Sequence, residues 1–515
     1  MVNIYKQEKK TAAPKAFETQ CVSLDILGRG VCKHEDKVYF VPDLLPGERA
    51  RIMPTVSDTD KTASGVVTKL IAAAPERVTN PCCDHQASCG GCPLMHLPPQ
   101  MAFDAKVQGV AKLLVKSVLQ GTLEAKSGKA SAAVGQARLG RNSTIKQALA
   151  QKQAAAKNAA RASELAALSR EAAAKVGAPS FTEMGPTTGY RRACRLAIRA
   201  DHGKLYLGFR KDKSSELVPV SSCPVLEPRL NALLAPLTAL VNTLEQKKSI
   251  GHVELLASDL KVAVLLRMTQ KLEAADEQRL LDFGAQHSLA MFVLEPFKQL
   301  DDSEVVRERL LGAERAADDT GFSAAEQQIM VQSLENKVYC SPSCFVQVNA
   351  QMNTAMLKRV LAAVEPHEGQ KVLDLFSGLG NFSLPIAAAG SEVVGIDIVF
   401  DMIRRANANA AVNGVADKAK FYVADLEEPF ENQLWAKADY DVVVMDPGRM
   451  GAKRAVQFMG KLKPKKIVMI SCNPLAAARD CSQLLSSHYK IEMWGAFDMF
   501  PHTSHVEIML VFTRA

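Results

Sequence analysis

The sequence predicts an α/β protein whose carboxyl-terminal part is a doubly wound domain, preceded by a small β-barrel and a central α+β region. Three observations predict it. After Gln347, strand-like apolar runs near 371–376, 392–397, 441–446, 466–471 and 491–496 alternate with helical segments, the pattern of a largely parallel sheet covered by helices. The first of these runs, Val372-Leu-Asp-Leu-Phe376, passes directly into the glycine loop Ser377-Gly-Leu-Gly-Asn381. Other runs end in Asp397, Asp446 or Cys472, reactive groups at the sheet edge where open α/β folds bind ligands.

The whole chain bounds the alternatives. Its 515 residues suffice for two to four domains, and 47% hydrophobic content supplies their cores. No apolar stretch approaches the roughly 20 residues needed to span a bilayer. Residues Met1 to Lys15 are polar and lysine-bearing without an apolar core, so a secretory signal is not expected. The expectation is a soluble cytoplasmic protein with no membrane association. In such a reducing compartment, twelve cysteines, several of them clustered, point to metal or catalysis rather than disulfides. Residues 116–175 hold eleven Lys/Arg against three Asp/Glu and so account for the net charge of +8, leaving 52 of each sign elsewhere. Charge alone is therefore a weak argument for an RNA partner.

In chain order, residues 17–75 read as short strands, Gln20 to Gly28, Lys37 to Val41, Leu45 to Arg51 and Ser64 to Lys69, punctuated by Gly and Pro. That suits a barrel of the oligonucleotide-binding kind or a ligand-free structural β module. From 117 to 178 the composition turns alanine-rich and basic, with helix formers and no proline from Ser143 until Pro179. This stretch reads as a flexible, partly helical insertion, either a solvated excursion or an accessory RNA-contacting arm. Residues 181–310 contain strands at Arg195–Arg199, Lys204–Gly208, Val253–Leu256 and Lys261–Arg267, an antiparallel sheet with helices. A last strand, Val506 to Phe512, closes the chain. The domain boundaries expected are 1–75, 76–340 and 341–515.

Cys83-x5-Cys89-Gly-Gly-Cys92 has the spacing that lets three thiolates converge on one centre, and Cys223 is a candidate fourth ligand. Spacing does not choose between zinc and an iron–sulfur cluster, and Cys82 could replace Cys83. Radical chemistry at an open cluster iron is discounted, because its usual CxxxCxxC spacing is absent and a fourth thiolate is present.

The loop Asp374 to Asn381 lets backbone approach a ligand at a helix start, and the strand Glu392 to Asp397 ends in an acid able to accept from ribose hydroxyls. The loop lacks GxGxxG spacing, which favours S-adenosylmethionine over a dinucleotide. Asp425 could accept from an adenine amino group, and Asp446 adds an acid at the same edge. Cys472 follows the run Lys466 to Ile470 and precedes Asn473-Pro474, so its thiol lies at the ligand edge. In the last strand Glu507 shares its face with Met509 and Val511, an apolar setting that raises a carboxyl pKa and suits a proton acceptor.

These motifs resemble the RNA uracil-C5 methyltransferases, in particular those acting on 23S ribosomal RNA. The resemblance covers residues 17–116 and 179–515. It implies a Rossmann-like S-adenosylmethionine-dependent domain, an amino-terminal TRAM RNA-binding barrel around Leu45-Pro-Gly-Glu48, and a central iron–sulfur domain whose 4Fe-4S cluster is held by Cys83, Cys89, Cys92 and Cys223. Phe345-Val-Gln347-Val-Asn349 is similar to the family's FxQVN signature. The resemblance then assigns Gln347, Phe376, Asn381, Asp397, Asp425 and Asp446 to the methyl donor, Cys472 to the nucleophile and Glu507 to the general base. The chain departs from the family pattern at Ser377, where Cys is common, at Asp397 and Asp425, where Glu and Asn are usual, and at Gly448.

The implied reaction is addition of Cys472 to uracil carbon 6, methylation of carbon 5, and removal of its proton by Glu507, on a base flipped out of a 23S rRNA fold. Phe345 would wall the uracil, and Arg191, Arg192, Arg210 and Lys211 read either as phosphate contacts or, more commonly for such residues, as a solvated basic face. A monomer is expected. The rival readings are a related enzyme acting on transfer RNA or another rRNA uracil, and a noncatalytic RNA-binding iron–sulfur sensor.

Overall fold

The computed structural model describes residues 15–57, 59, 61–79, 82, 89–127, 163–212, 214–298, 304–312, 322 and 326–515. The chain divides into two compact units: one of residues up to Gln86 with Cys92–Gly109 and His502–Ser504, the other of the remainder.

The first unit is built on strands β1 (Phe17–Leu24), β2 (Gly30–His34), β3 (Lys37–Val41), β4 (Arg49–Ser57) and β5 (Thr62–Ala72), closed in the order β1-β2-β3-β5-β4. Closure leaves no exposed strand edge. Cys21, Cys32, Tyr39, Val41, Ala50 and Ile52 fill the interior. Two expected strands are shorter than their sequence runs. Residues 25–28 turn back through the Asp25 carboxylate, which accepts the N–H groups of Leu27 and Arg29. Leu45 to Glu48 is a turn with Gly47 at φ +87°. Glu48 is completely buried, yet its oxygens accept from the N–H of Leu45 at 2.8 Å, the N–H of Ala74 at 3.1 Å and the Arg77 guanidinium at 2.6 Å. The motif thus fastens the barrel to the chain that leaves it.

Helix α1 (Pro99–Ser127) runs through residue 117 without a break. A change of composition is not a change of backbone conformation. Residues 128–162, the middle of the expected insertion, lie outside the described residues, and 163–176 form helix α2 with Leu168, Ala172 and Val176 buried.

In the second unit, β6 (Phe181–Glu183) precedes β7 (Ala193–Asp201), β8 (Lys204–Arg210), β9 (Leu217–Pro219), α3 (Pro228–Asn231), α4 (Leu234–Thr243), β10 (Ile250–Ala257), β11 (Val262–Met268), α5 (Ala274–His287), β12 (Leu289–Lys298) and β13 (Glu304–Leu310). Strands β7 to β13 form one sheet in the order β13-β12-β11-β10-β7-β8-β9. It departs from the expected antiparallel arrangement in one pair: β11 and β12 are parallel, because α5 carries the chain back across the sheet. Leu230, Leu234, Leu237 and Val241 bury the faces of α3 and α4 in its core.

After the hairpin β14 (Met330–Ser333) and β15 (Asn336–Tyr339) come α6 (Ala350–Val364), β16 (Lys371–Leu375), α7 (Ser383–Ala388), β17 (Glu392–Asp397), α8 (Phe400–Val412), β18 (Ala419–Val423), β19 (Val442–Met445), α9 (Lys453–Leu462), β20 (Lys466–Ser471), α10 (Pro474–Ser486), β21 (Tyr489–Phe497) and β22 (Glu507–Arg514). The sheet order is β18-β17-β16-β19-β20-β22-β21-β6. Strands β16 to β20 are parallel, and β22 inserts antiparallel between β20 and β21. The chain builds outward from β16 in one direction and then, from β19, in the other. The crevice between the carboxyl ends of β16 and β19 is therefore the topological switch point, where such sheets hold ligands.

Candidate active site

At the switch point β16 ends and Phe376 enters the left-handed region at φ +66°, followed by Gly378 at +54° and Gly380 at +90°. Glycine adopts this backbone freely, whereas for phenylalanine it costs about 1–3 kcal/mol and persists only where the surroundings impose it. They do so here through hydrogen bonds. Ser377 N–H donates to Ile396 O at 2.9 Å, and Gly380 N–H to Ser377 O at 2.9 Å. Gly378 N–H donates to one Asp397 carboxylate oxygen at 3.0 Å, while Val399 N–H donates to the other at 3.0 Å. A carboxylate has about four acceptor sites, so Asp397 is aimed by two backbone donors and keeps capacity for two more.

The cavity beside this loop is lined by Phe345, Gln347, Phe376, Asn381 and Asp446, with Arg192 behind them. Gln347 Nε2 donates to Asp446 Oδ2 at 3.5 Å, and the Gln347 carbonyl accepts from Arg192 Nε at 2.8 Å. Arg192 is buried, and that burial lowers its pKa from the ordinary value. It braces the FxQVN segment, and its burial takes it away from the solvent-facing phosphate role that the sequence suggests. Asn381 exchanges two 3.0 Å side-chain hydrogen bonds with Asn353 of α6. Ser377, the residue at a usual cysteine position, is buried, and its hydroxyl has no hydrogen-bond partner among the described residues. Phe345 is 67% exposed at the cavity mouth.

Cys472 and Glu507 come together through strand pairing. Across the antiparallel ladder of β20 and β22, Ser471 faces Ile508. The residue immediately after β20 is Cys472, and the residue before Ile508, the first of β22, is Glu507. Asn473 caps α10, accepting from Leu475 N–H at 3.1 Å, and its amide donates to the Arg449 carbonyl at 2.8 Å. This fixes the turn that carries the thiol.

The electrostatics tie this pair to the cavity. Burial raises the Glu507 carboxyl well above its ordinary value, with the Asp446 charge adding to the effect. Burial also pushes Asp446 up to about 7. The Cys472 thiol is pushed up to about 11, chiefly by burial, then by the carboxylates of Glu507 and Asp446, with Arg449 opposing them. Each of these shifts has the same origin: acids gathered at a poorly solvated sheet edge.

Of the residues expected at the site, Gln347, Phe376, Asn381 and Asp446 share one cavity. Asp397 joins it through Gly378, and Cys472 and Glu507 are coupled to it through Asp446. Asp425 stands farther out, beyond edge strand β18, with one oxygen taking Glu427 N–H at 2.8 Å. The bracing role of Arg192 and the Asn353 partner were not evident in the sequence. An asparagine one helical turn from Asn349 on an otherwise apolar face was the available signal.

The cysteines expected to bind a cluster are less completely defined. Cys83 lies outside the described residues. Cys89 bridges to Lys211, and Gly90 packs so closely that a side chain there would meet Asp212 N at 2.6 Å. Cys223 N–H donates to Asn231 Oδ1 at 2.6 Å. Among the described residues, no group of three or more His, Cys, Asp or Glu side chains is placed to hold a metal ion. The ligand set therefore rests on the resemblance to the uracil-C5 methyltransferases.

A strand-end thiol and a buried carboxylate thus stand beside a switch-point cavity, and comparison with known proteins supplies the class. The chain belongs to the tRNA (uracil-5-)-methyltransferase family, whose model matches residues 164–515. It is similar along its whole length to the 23S rRNA (uracil(1939)-C(5))-methyltransferase RlmD of Erwinia tasmaniensis, at 31% identity with 100% of both chains covered. The Vibrio cholerae RlmD is 34% identical over 95% of this chain and 94% of that one. Among solved structures, the Pyrococcus abyssi tRNA (uracil-54, C5)-methyltransferase in complex with S-adenosyl-L-homocysteine shares the fold, with a TM-score of 0.64 at 22% identity, covering 96% of this chain and 99% of that chain.

Proposed function

We propose that this protein methylates carbon 5 of a uridine in 23S ribosomal RNA, through a transient covalent bond from Cys472 to carbon 6. The observation that carries the reading is the placement of Cys472 and Glu507 at adjoining positions of paired strands, coupled through Asp446 to the switch-point cavity. Full-length similarity to RlmD enzymes supports 23S rRNA as the substrate.

S-adenosylmethionine supplies the methyl group as an electrophilic sulfonium. In this reading Asp397 accepts from the ribose hydroxyls, Gln347, Phe376, Asn381 and Asp446 line the pocket, and Asp425 accepts from the adenine amino group. Uracil carbon 5 is too weak a nucleophile to take a methyl group unaided. The Cys472 thiol therefore loses its proton to solvent, and the sulfur bonds to carbon 6. The ring electrons shift to give an enolate nucleophilic at carbon 5. Carbon 5 takes the methyl group as its bond to the sulfonium sulfur breaks, leaving the neutral thioether S-adenosylhomocysteine, and Glu507 removes the proton left at carbon 5. The electron pair of that C–H bond re-forms the carbon 5–carbon 6 double bond, and the sulfur departs. Burial suits Glu507 to the step, since a raised pKa makes its carboxylate a stronger base. A base in folded RNA must leave its stack to reach this edge, and exposed Phe345 offers it a wall.

The barrel serves as the RNA-binding TRAM domain within 1–75, followed by a central domain (76–340, with 117–178 as an insertion) and the methyltransferase domain (341–515). Cys83, Cys89, Cys92 and Cys223 bind a structural 4Fe-4S cluster, since the reaction transfers no electrons. The protein works as a monomer in the cytoplasm; no helix among the described residues is long and apolar enough to cross a membrane. Iron and sulfide analysis of anaerobically purified protein tests the cluster, with loss of both expected in Cys89→Ser and Cys223→Ser.

Incubating purified enzyme and S-adenosylmethionine with unmodified 23S rRNA, then mapping 5-methyluridine by mass spectrometry, tests the activity. One modified uridine is expected, and its absence on competent rRNA counts decisively against the reading. A second reading is favoured by the family description, which names transfer RNA. Methylation of tRNA in preference to rRNA in the same assay would establish it.

A further inference from the structure

We propose that the surface beside Cys472, formed by the 447–452 loop, the start of α10 and the facing parts of α9 and α1, binds the single-stranded RNA that flanks the target uridine. The inference rests on the methyltransferase reading and adds a path for the substrate. Two large apolar side chains stand in water next to the nucleophile: Met450 is 82% exposed and Leu475 67% exposed. Neither belongs to a loose segment. The Met450 carbonyl accepts from the Arg479 guanidinium at 2.9 Å, and Ala452 N–H donates to Asp480 at 2.8 Å. Gly451, at φ +78°, packs so tightly that a side chain would meet Arg479 at 2.5 Å and Asp480 at 2.6 Å. The loop is pinned to α10 while its apolar tip is held out from it.

A groove continues from Leu475 between α1 and α9–α10, lined by Lys116, Lys453, Arg479, Gln457 and Gln483. Ser117 Oγ donates to the Ala478 carbonyl and closes its floor. Among the described residues its only acid, Asp480, is 2% exposed and already engaged by Arg479 and Ala452 N–H, so these residues give the groove a positive charge. Cationic side chains beside exposed apolar ones match the alternation of phosphate and base face in an unpaired strand. Rigid apolar side chains are also what proteins place against bases when a step is unstacked, and removing the target uridine unstacks its neighbours. Lys116 and Lys453 take phosphates, while Met450 and Leu475 take the bases next to the flipped uridine.

Hydroxyl-radical footprinting of the wild-type enzyme, with and without an rRNA fragment shown to be methylated by it, tests the assignment. RNA is expected to lower oxidation of Met450 and Leu475 several-fold. In parallel, Lys116→Glu with Lys453→Glu should weaken RNA binding and make its salt slope shallower by about 1.4, the contribution of two single-strand phosphates. S-adenosylhomocysteine affinity reports that this variant has folded. Unchanged oxidation of both residues on an RNA that is methylated overturns the proposal and leaves the activity standing. Failure to methylate any RNA overturns the parent reading, and this one with it.

Discussion

Glu507 and Cys472 occupy the adjoining ends of two paired strands, each one step past the Ser471–Ile508 pair that ends the ladder of β20 and β22. Strand pairing, not a flexible loop, sets their separation. The insertion of β22 beside β20 is what brings a carboxylate from the end of the chain to the thiol. Removing either group should therefore affect a different step. Cys472→Ala is expected to form no RNA adduct and no product. Glu507→Gln should form the adduct but fail to resolve it, with turnover lowered about 10²–10⁴-fold. A denaturing gel reads both outcomes, and turnover by Cys472→Ala would contradict the roles assigned.

The thiol's high pKa carries its own test. Burial and the nearby carboxylates push Cys472 up to about 11, so the sulfur is protonated at neutral pH. Asp446, at about 7, is ionised wherever the thiol titrates. Asp446→Asn removes that negative charge and should shift Cys472 downward. The pH dependence of iodoacetamide labelling at Cys472 is then displaced to lower pH, and an unchanged or raised midpoint would refute the coupling.

Phe376 holds a left-handed backbone that a glycine would accept without strain. Phe376→Gly should relieve roughly 1–3 kcal/mol of backbone strain while removing a ring from the cavity wall. Calorimetry is expected to show S-adenosylhomocysteine affinity falling by more than tenfold with no matching loss of thermal stability. Parallel loss of both would mean the ring is needed mainly for packing.

Glu48 is the buried charge on which the barrel's exit depends. Burial on its own would raise its pKa, but Arg77 and two backbone donors outweigh it and hold the carboxyl below its ordinary value. A depressed carboxyl contributes its full stability above the unfolded pKa of about 4.3 and loses it as pH falls through the folded value. Glu48→Ala, which leaves Arg77 the Asp43 carbonyl but takes away its buried carboxylate partner, should destabilise the barrel by about 3–5 kcal/mol. Hydrogen exchange over residues 17–57 should accelerate in this variant at neutral pH and in the wild type only in acid.

What the sequence made legible follows from burial. Parallel strands covered on both faces must be apolar along their length, and Val442 to Met445 is buried at every position, so such runs are readable without a partner. The same holds for the acids and thiol that end those runs. The period of two in the last strand likewise put Glu507 on one face with Met509 and Val511, and β22 is buried on both faces there. Features set by distant pairing were not legible. β6 is three residues long and exists only because β21 offers it an edge. Arg192, beside Arg191, reads as a surface basic pair until Gln347 closes over it. The composition change at 117 marked no structural boundary, because a helix continues through alanine and lysine as readily as it began.

The central claim is that sulfur at residue 472 bonds to the pyrimidine ring. Substrate RNA carrying 5-fluorouridine at the target tests it most directly, because fluorine in place of the carbon-5 proton leaves Glu507 nothing to remove. Tandem mass spectrometry of the trapped complex should place a methylated fluorouridine on the peptide containing Cys472. An adduct on any other residue, or free methylated product from Cys472→Ala, would contradict the account.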